Sequence, residues 1–173
     1  MKMQPVLFSF VVMLTLPSLP VYAAPDASAK PNTCTILKPE DLTTLLGGTP
    51  VTKSNNTACS WSVEGSARKL IAIRYAGTGM AAEMAYSSAK TGASKGGNKI
   101  ANESGLGDNA FSRMESYGVS LTAIKQGHLI QLQYGAGVAG TAKDLDDLRP
   151  IAKKAIEGLD LSAPATSSSP SGY

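Results

Sequence analysis

Histidine, cysteine and aromatic residues are scarce in this chain. Its 173 residues hold one histidine, one tryptophan and two cysteines, and aromatics make up 6%. A structural metal centre takes about four nitrogen or sulfur ligands, more than this inventory places near one another, so no metal and no cofactor is expected. Cys34 and Cys59 lack the Cys-x-x-Cys spacing of a catalytic dithiol. No Gly-x-Ser-x-Gly elbow marks a hydrolase nucleophile. Charge is thin as well: 17% of residues are charged, the net charge is +3, and the lysines are dispersed. That balance predicts neither nucleic acid nor an anionic membrane surface as a partner. Long apolar runs are missing too. Pro17 and Pro20 interrupt the one N-terminal stretch well short of the ~20 residues that span a bilayer, so no stable membrane insertion is expected.

What the N-terminus does contain reads as an export leader. Lys2 gives a positive start, an apolar segment follows from Val6 to Leu14, and Val21-Tyr22-Ala23 ends in small residues at the recognition positions. Residues 1–23 are therefore expected to be a signal peptide, cleaved after Ala23, and the mature protein to be periplasmic or secreted. Export bears on Cys34 and Cys59. Two buried free thiols would act as small hydrophobes, but oxidising compartments favour a disulfide, and a pair is the simplest use of two cysteines. Residues 24–33 read as a flexible linker, 34–161 as one globular domain and 162–173 as a disordered tail rich in Ser and Pro.

Within the domain, residues 36–47 predict a short helix. Pro39 suits its first turn, Glu40 and Asp41 its positive dipole end, Gly47 a left-handed cap, and Leu42, Leu45 and Leu46 form its apolar stripe. Residues 51–53 predict a short strand. Cys59, Trp61 and Val63 alternate with polar residues, so they share one face of the next. Residues 70–75 predict a strand broken by Gly77 and Gly79. A helix follows to Lys90, with Met80, Ala81, Met84, Ala85 and Ser88 as its buried stripe. Residues 91–99 read as a solvated loop; its glycines and lysines lack the P-loop order. Three strands are expected at 110–115, 119–125 and 129–134, with Lys125-Gln126-Gly127-His128 as the last turn. The closing helix carries Leu145, Leu148, Ala152, Ala155, Ile156 and Leu159 on one face, with a kink or restart at Pro150. The sum is an α+β domain: a mostly antiparallel sheet with about three helices packed on it.

Cys34 ahead of a Leu-rich helix ending in Gly47-Gly48, then Cys59-Ser60-Trp61, then Gly105-Leu106-Gly107-Asp108 before a hairpin and a closing helix, resembles an uncharacterised family of exported bacterial envelope proteins. Many of its members are actinobacterial lipoproteins containing a domain of unknown function. The lipidated cysteine such members often carry is absent from the cleavage site here. The resemblance implies no catalytic residues.

Two residues stand out as candidates for ligand binding. Asp108, in a loop with two glycines, either presents its carboxylate to a ligand or bonds backbone N–H groups in a turn. His128 must serve any histidine-based acid–base chemistry, yet it sits beside Gly127 at a turn with no carboxylate near it in sequence. Glu40 with Asp41, and Asp144 with Asp146 and Asp147, lie at expected helix starts, where the dipole accounts for them. The expected function is therefore a non-enzymatic binding or accessory module of the cell envelope, with an envelope protein or small ligand as partner. The alternative is a small periplasmic hydrolase of unrecognised type.

Overall fold

The computed structural model describes residues 33–55 and 57–159. The expected leader, residues 24–32 of the expected linker, the tail and 160–161 of the expected domain lie outside these residues. Thr33, expected to end the linker, is instead buried in a 3-10 turn over Thr33–Thr35 and donates its hydroxyl to the Thr57 carbonyl. Seven strands among the described residues join in one sheet: β1 (Val51–Ser54), β2 (Ala58–Ser62), β3 (Lys69–Thr78), β4 (Lys99–Glu103), β5 (Asn109–Glu115), β6 (Gly118–Lys125) and β7 (His128–Gly135). Their order is β1-β2-β3-β7-β6-β5-β4, and every neighbouring pair is antiparallel. Two meanders, β1–β3 and β4–β7, thus meet at a β3–β7 seam. With three α-helices, α1 (Thr43–Leu46), α2 (Met80–Lys95) and α3 (Ala142–Glu157), the fold is α+β.

Side chains two apart on a strand share a face, and the register extends that rule across the sheet. On the inner face Trp61 pairs with Leu70, Leu70 with Tyr134 and Tyr134 with Val119, while Cys59, Ala72, Leu132 and Leu121 make a second row. All eight belong to the main core. α1 and α3 cover this face, α3 through Leu145, Leu148, Ile151, Ala152, Ala155 and Ile156. The Cys34–Cys59 disulfide forms, with Cα atoms 5.1 Å apart, and fastens the chain ahead of α1 to β2. Tyr134 adds a second tie by donating its hydroxyl to the Leu45 carbonyl at 3.1 Å. Burial pushes this phenol above its usual titration range. α2 lies across the opposite, outer face, where Tyr86 meets Phe111 edge-on and Ala82 packs with Ile124 and Leu129.

Several expectations need correction. The first helix is shorter than 36–47: a 3-10 turn covers Pro39–Leu42, then one α-turn runs to Leu46, closed by Gly47 at φ 81°. β3 passes through Gly77 to Thr78, absorbing the glycine in an irregular stretch after Arg74 instead of ending at it. α2 extends through Lys95, so residues 91–95 are helix and not loop. Its buried face is also rotated from the expected one. Ala82 and Ala93 are buried, whereas Met80 and Met84 stand 76% and 64% exposed. Small residues face the sheet because they let the helix axis approach it. Pro150 causes no restart; α3 continues through it to Glu157, and the missing N–H falls on the exposed side. At its other end α3 opens with a capping box between Thr141 and Asp144.

Candidate functional site

Asp108 and His128 come to the same end of the sheet, around the two-residue turn between β6 and β7. Gln126 and Gly127 both have positive φ, 48° and 74°, the geometry of a type I′ hairpin turn. A glutamine there is strained, and Asp108 compensates: its carboxylate accepts the Gln126 backbone N–H at 2.5 Å. Its own N–H reaches the Ile124 carbonyl at 2.7 Å. Gly107 is required beside it, because a Cβ there would lie 2.4 Å from that same carbonyl oxygen. On the other side Gly79, which precedes α2, donates to the Gly127 carbonyl at 2.9 Å. The loop at 105–108 is thus a clamp on the neighbouring hairpin. His128 closes this turn as the first residue of β7, paired with Lys125, and its side chain is buried. The Arg74 guanidinium donates to its Nδ1 at 3.3 Å.

Sequence reasoning passed over β4 and with it a charged cluster. β4 pairs only with β5, at the sheet's edge, and its one inward carboxylate, Glu103, is tied on three sides. Arg149 of α3 grips it with Nε and Nη2 at 2.8 and 2.9 Å, and Ser112 donates from β5 at 2.6 Å. The guanidinium holds this carboxyl below the usual range, against burial, which acts the other way. A cleft of about 440 Å³ between α1 and α3 is also lined by charges. These are mostly spent on internal pairs: Asp41 with Lys154 and Lys143 with Asp147. Such groups fasten helices and leave little for a ligand. Among the described residues no three His, Cys, Asp or Glu side chains gather as metal ligands would.

The outer face of the sheet is different. α2 seals Phe111, Thr122, Ile124 and Leu129, but it leaves the β1–β2–β3 side and the far ends of β7 and β6 open. There the register lines up Lys53, Ser60, Ile71, Gln133, Ser120 and Arg113 in one row across six strands. Two shallow depressions lie along it. One, about 260 Å³, is bounded by Lys69, Ile71, Gln133, Glu115 and Tyr117. The other, about 210 Å³, is bounded by Lys53, Asn55, Ser60, Lys69 and Ile71. Sharing Lys69 and Ile71, they form one trough running diagonally from β1 to the β5–β6 turn. No known family, no curated protein and no solved structure matches this chain. The trough therefore stands on its own geometry.

The trough combines apolar, aromatic and cationic groups. Ile71 is a half-buried apolar floor, Tyr117 stands 71% exposed at one end, and Lys53 and Lys69 are exposed along the sides. Ser62 pairs with Lys69 and lies on the same face. Neither Asp108 nor His128 lines either depression. The trough was hidden from sequence reasoning because its members come from separate strands, and Ile71 meets Gln133 only through the β3–β7 seam.

Proposed function

We propose that this protein is a non-enzymatic binding module of the bacterial cell envelope, exported by its leader, and that the trough on the outer sheet face engages its partner. The observation that carries this reading is the half-covered sheet. An antiparallel sheet with one helix too few on a face either solvates that face with polar residues or uses it. Here the face combines an apolar floor, an exposed tyrosine and, in Lys53, Lys69, Ser62 and Gln133, polar side chains that no other described side chain engages. The disulfide fits an extracytoplasmic home, and no helix among the described residues is long and apolar enough to cross a membrane. The Cys…Cys-x-Trp and Gly-Leu-Gly-Asp patterns support membership of the exported envelope family. The hydrolase alternative draws no support from the site, since the Asp108 carboxylate is committed to a turn and Arg74 occupies His128 Nδ1.

Affinity capture from an envelope extract tests the reading. Ile71→Asp places a charge on the trough floor, and Ser87→Glu places one on the outer surface of α2 as a control. Both variants are checked for wild-type melting behaviour. The expected result is loss of captured material with Ile71→Asp alone. Equal capture by both variants would refute the trough as the binding face.

A further inference from the structure

The chemistry of the trough narrows what it can hold. We infer that its ligand is an acidic glycan, a run of hydroxyl-rich sugar rings bearing carboxylate or phosphate groups. This rests on the proposal that the trough is the binding face. Charge is the first argument. Lys53 and Lys69 flank the trough, and neither has a carboxylate partner among the described residues. The one acid on the rim, Glu115, is already paired with Arg113. The surface thus presents two uncompensated ammonium groups, although the chain as a whole is only mildly basic. An ammonium on a flexible stem suits a charge whose position varies along a polymer better than a fixed bidentate fork.

The second argument is the kind of neutral group beside those charges. Gln133 offers an amide and Ser62 a hydroxyl, and no other described side chain bonds either. Such groups both donate and accept, as sugar hydroxyls do. Tyr117 adds an exposed ring on which the C–H face of a sugar can lie, with its hydroxyl free for a polar contact. The third argument is shape. A peptide partner draws its affinity from anchors buried in deep apolar pockets. A drug-sized ligand wants an enclosed site that buries most of its surface. The trough provides neither, only a shallow path over strands spaced about 4.8 Å apart, from β1 past β7 to the β5–β6 turn. An extended polymer fits such a path.

The test is an NMR titration of the ¹⁵N-labelled mature chain with four probes: hexagalacturonate, a glycerol-phosphate oligomer, neutral maltohexaose and hexaglutamate. The expected result is that at least one of the first two shifts the amides of Ser60, Ile71 and Gln133. Maltohexaose and hexaglutamate should bind about tenfold more weakly or not at all. Whichever anionic glycan binds identifies uronate or phosphate as the recognised group. The double variant Lys53→Ala/Lys69→Ala should lose about tenfold in affinity and most of the salt dependence, while Tyr117→Ala should weaken binding at unchanged salt dependence. Silence with both anionic glycans, equal binding of hexaglutamate or maltohexaose, or indifference to the double variant overturns the inference. So does a dimer in sedimentation that closes over the trough. If envelope capture depends on Ile71 while both glycans fail, the binding face stands and the ligand class falls. If capture ignores Ile71, both fall.

Discussion

Thr122 turns its hydroxyl into the layer beneath α2, on the same face as Phe111 and Gln131, and no group among the described residues accepts from it or donates to it. A buried hydroxyl without a partner costs its desolvation, on the order of 1–3 kcal/mol, and returns nothing. Thr122→Val keeps the branched shape and removes the cost. It should stabilise the protein by about 1 kcal/mol, read as a higher urea midpoint at unchanged slope. A midpoint that falls would show that the hydroxyl is paired after all. Trp61 Nε1 also has no partner among the described residues, but no other side chain fills the same volume, so the comparable experiment is not open there. Gln131, beside Thr122 in the sheet, already accepts from the Tyr75 hydroxyl at 3.4 Å.

Between elements, the Glu103–Arg149 pair joins edge strand β4 to α3, and its contribution depends on pH. Glu103 is held below the ordinary carboxylate range chiefly by its hydrogen bonds from Arg149. The unfolded chain therefore binds a proton at a pH where the folded chain does not. The resulting stability is complete above the unfolded value and is lost as pH falls through the folded one. With the Glu103 side chain 8% exposed and Arg149 40% exposed, Arg149→Met should cost about 2 kcal/mol at neutral pH, below the ~3–5 of a fully buried pair. It should also flatten or reverse the loss on acidification, because burial alone raises Glu103. Parallel acid profiles for wild type and variant would contradict this. The same elements show what the sequence could reveal. α3 was legible because its period is long and clean. β4 was not, because an edge strand reading Lys-Ile-Ala-Asn-Glu has no apolar alternation. The face of α2 was misassigned because methionine outranks alanine in hydrophobicity, yet alanine packs closer to a sheet. The clamp at Asp108 was half legible: its glycines signalled a special turn, but its partner lies in another hairpin.

For the whole molecule, the disulfide is the covalent tie between α1's side of the core and β2. Its ends are separated by 25 in sequence, and closing a loop of that size is worth about 3 kcal/mol in the chain-entropy model. Reduction should lower the unfolding free energy by about 2–4 kcal/mol and change Trp61 fluorescence, since Cys59 and Trp61 share one buried face. Cys34→Ala and Cys59→Ala should each show that loss, and their combination should not double it. Additive losses would mean that the cysteines stabilise the fold separately.

The β3–β7 seam has a consequence for how the chain is made. Synthesis from the N-terminus delivers β3 long before its neighbour exists, so the nascent chain carries a waiting edge whose central residues, Leu70-Ile71-Ala72-Ile73, are the kind that stack into intermolecular sheets. That run is fenced by cations: Arg68 and Lys69 before it, Arg74 after it. Placed there, the charges repel a second copy of the same edge until β7 arrives to cover it.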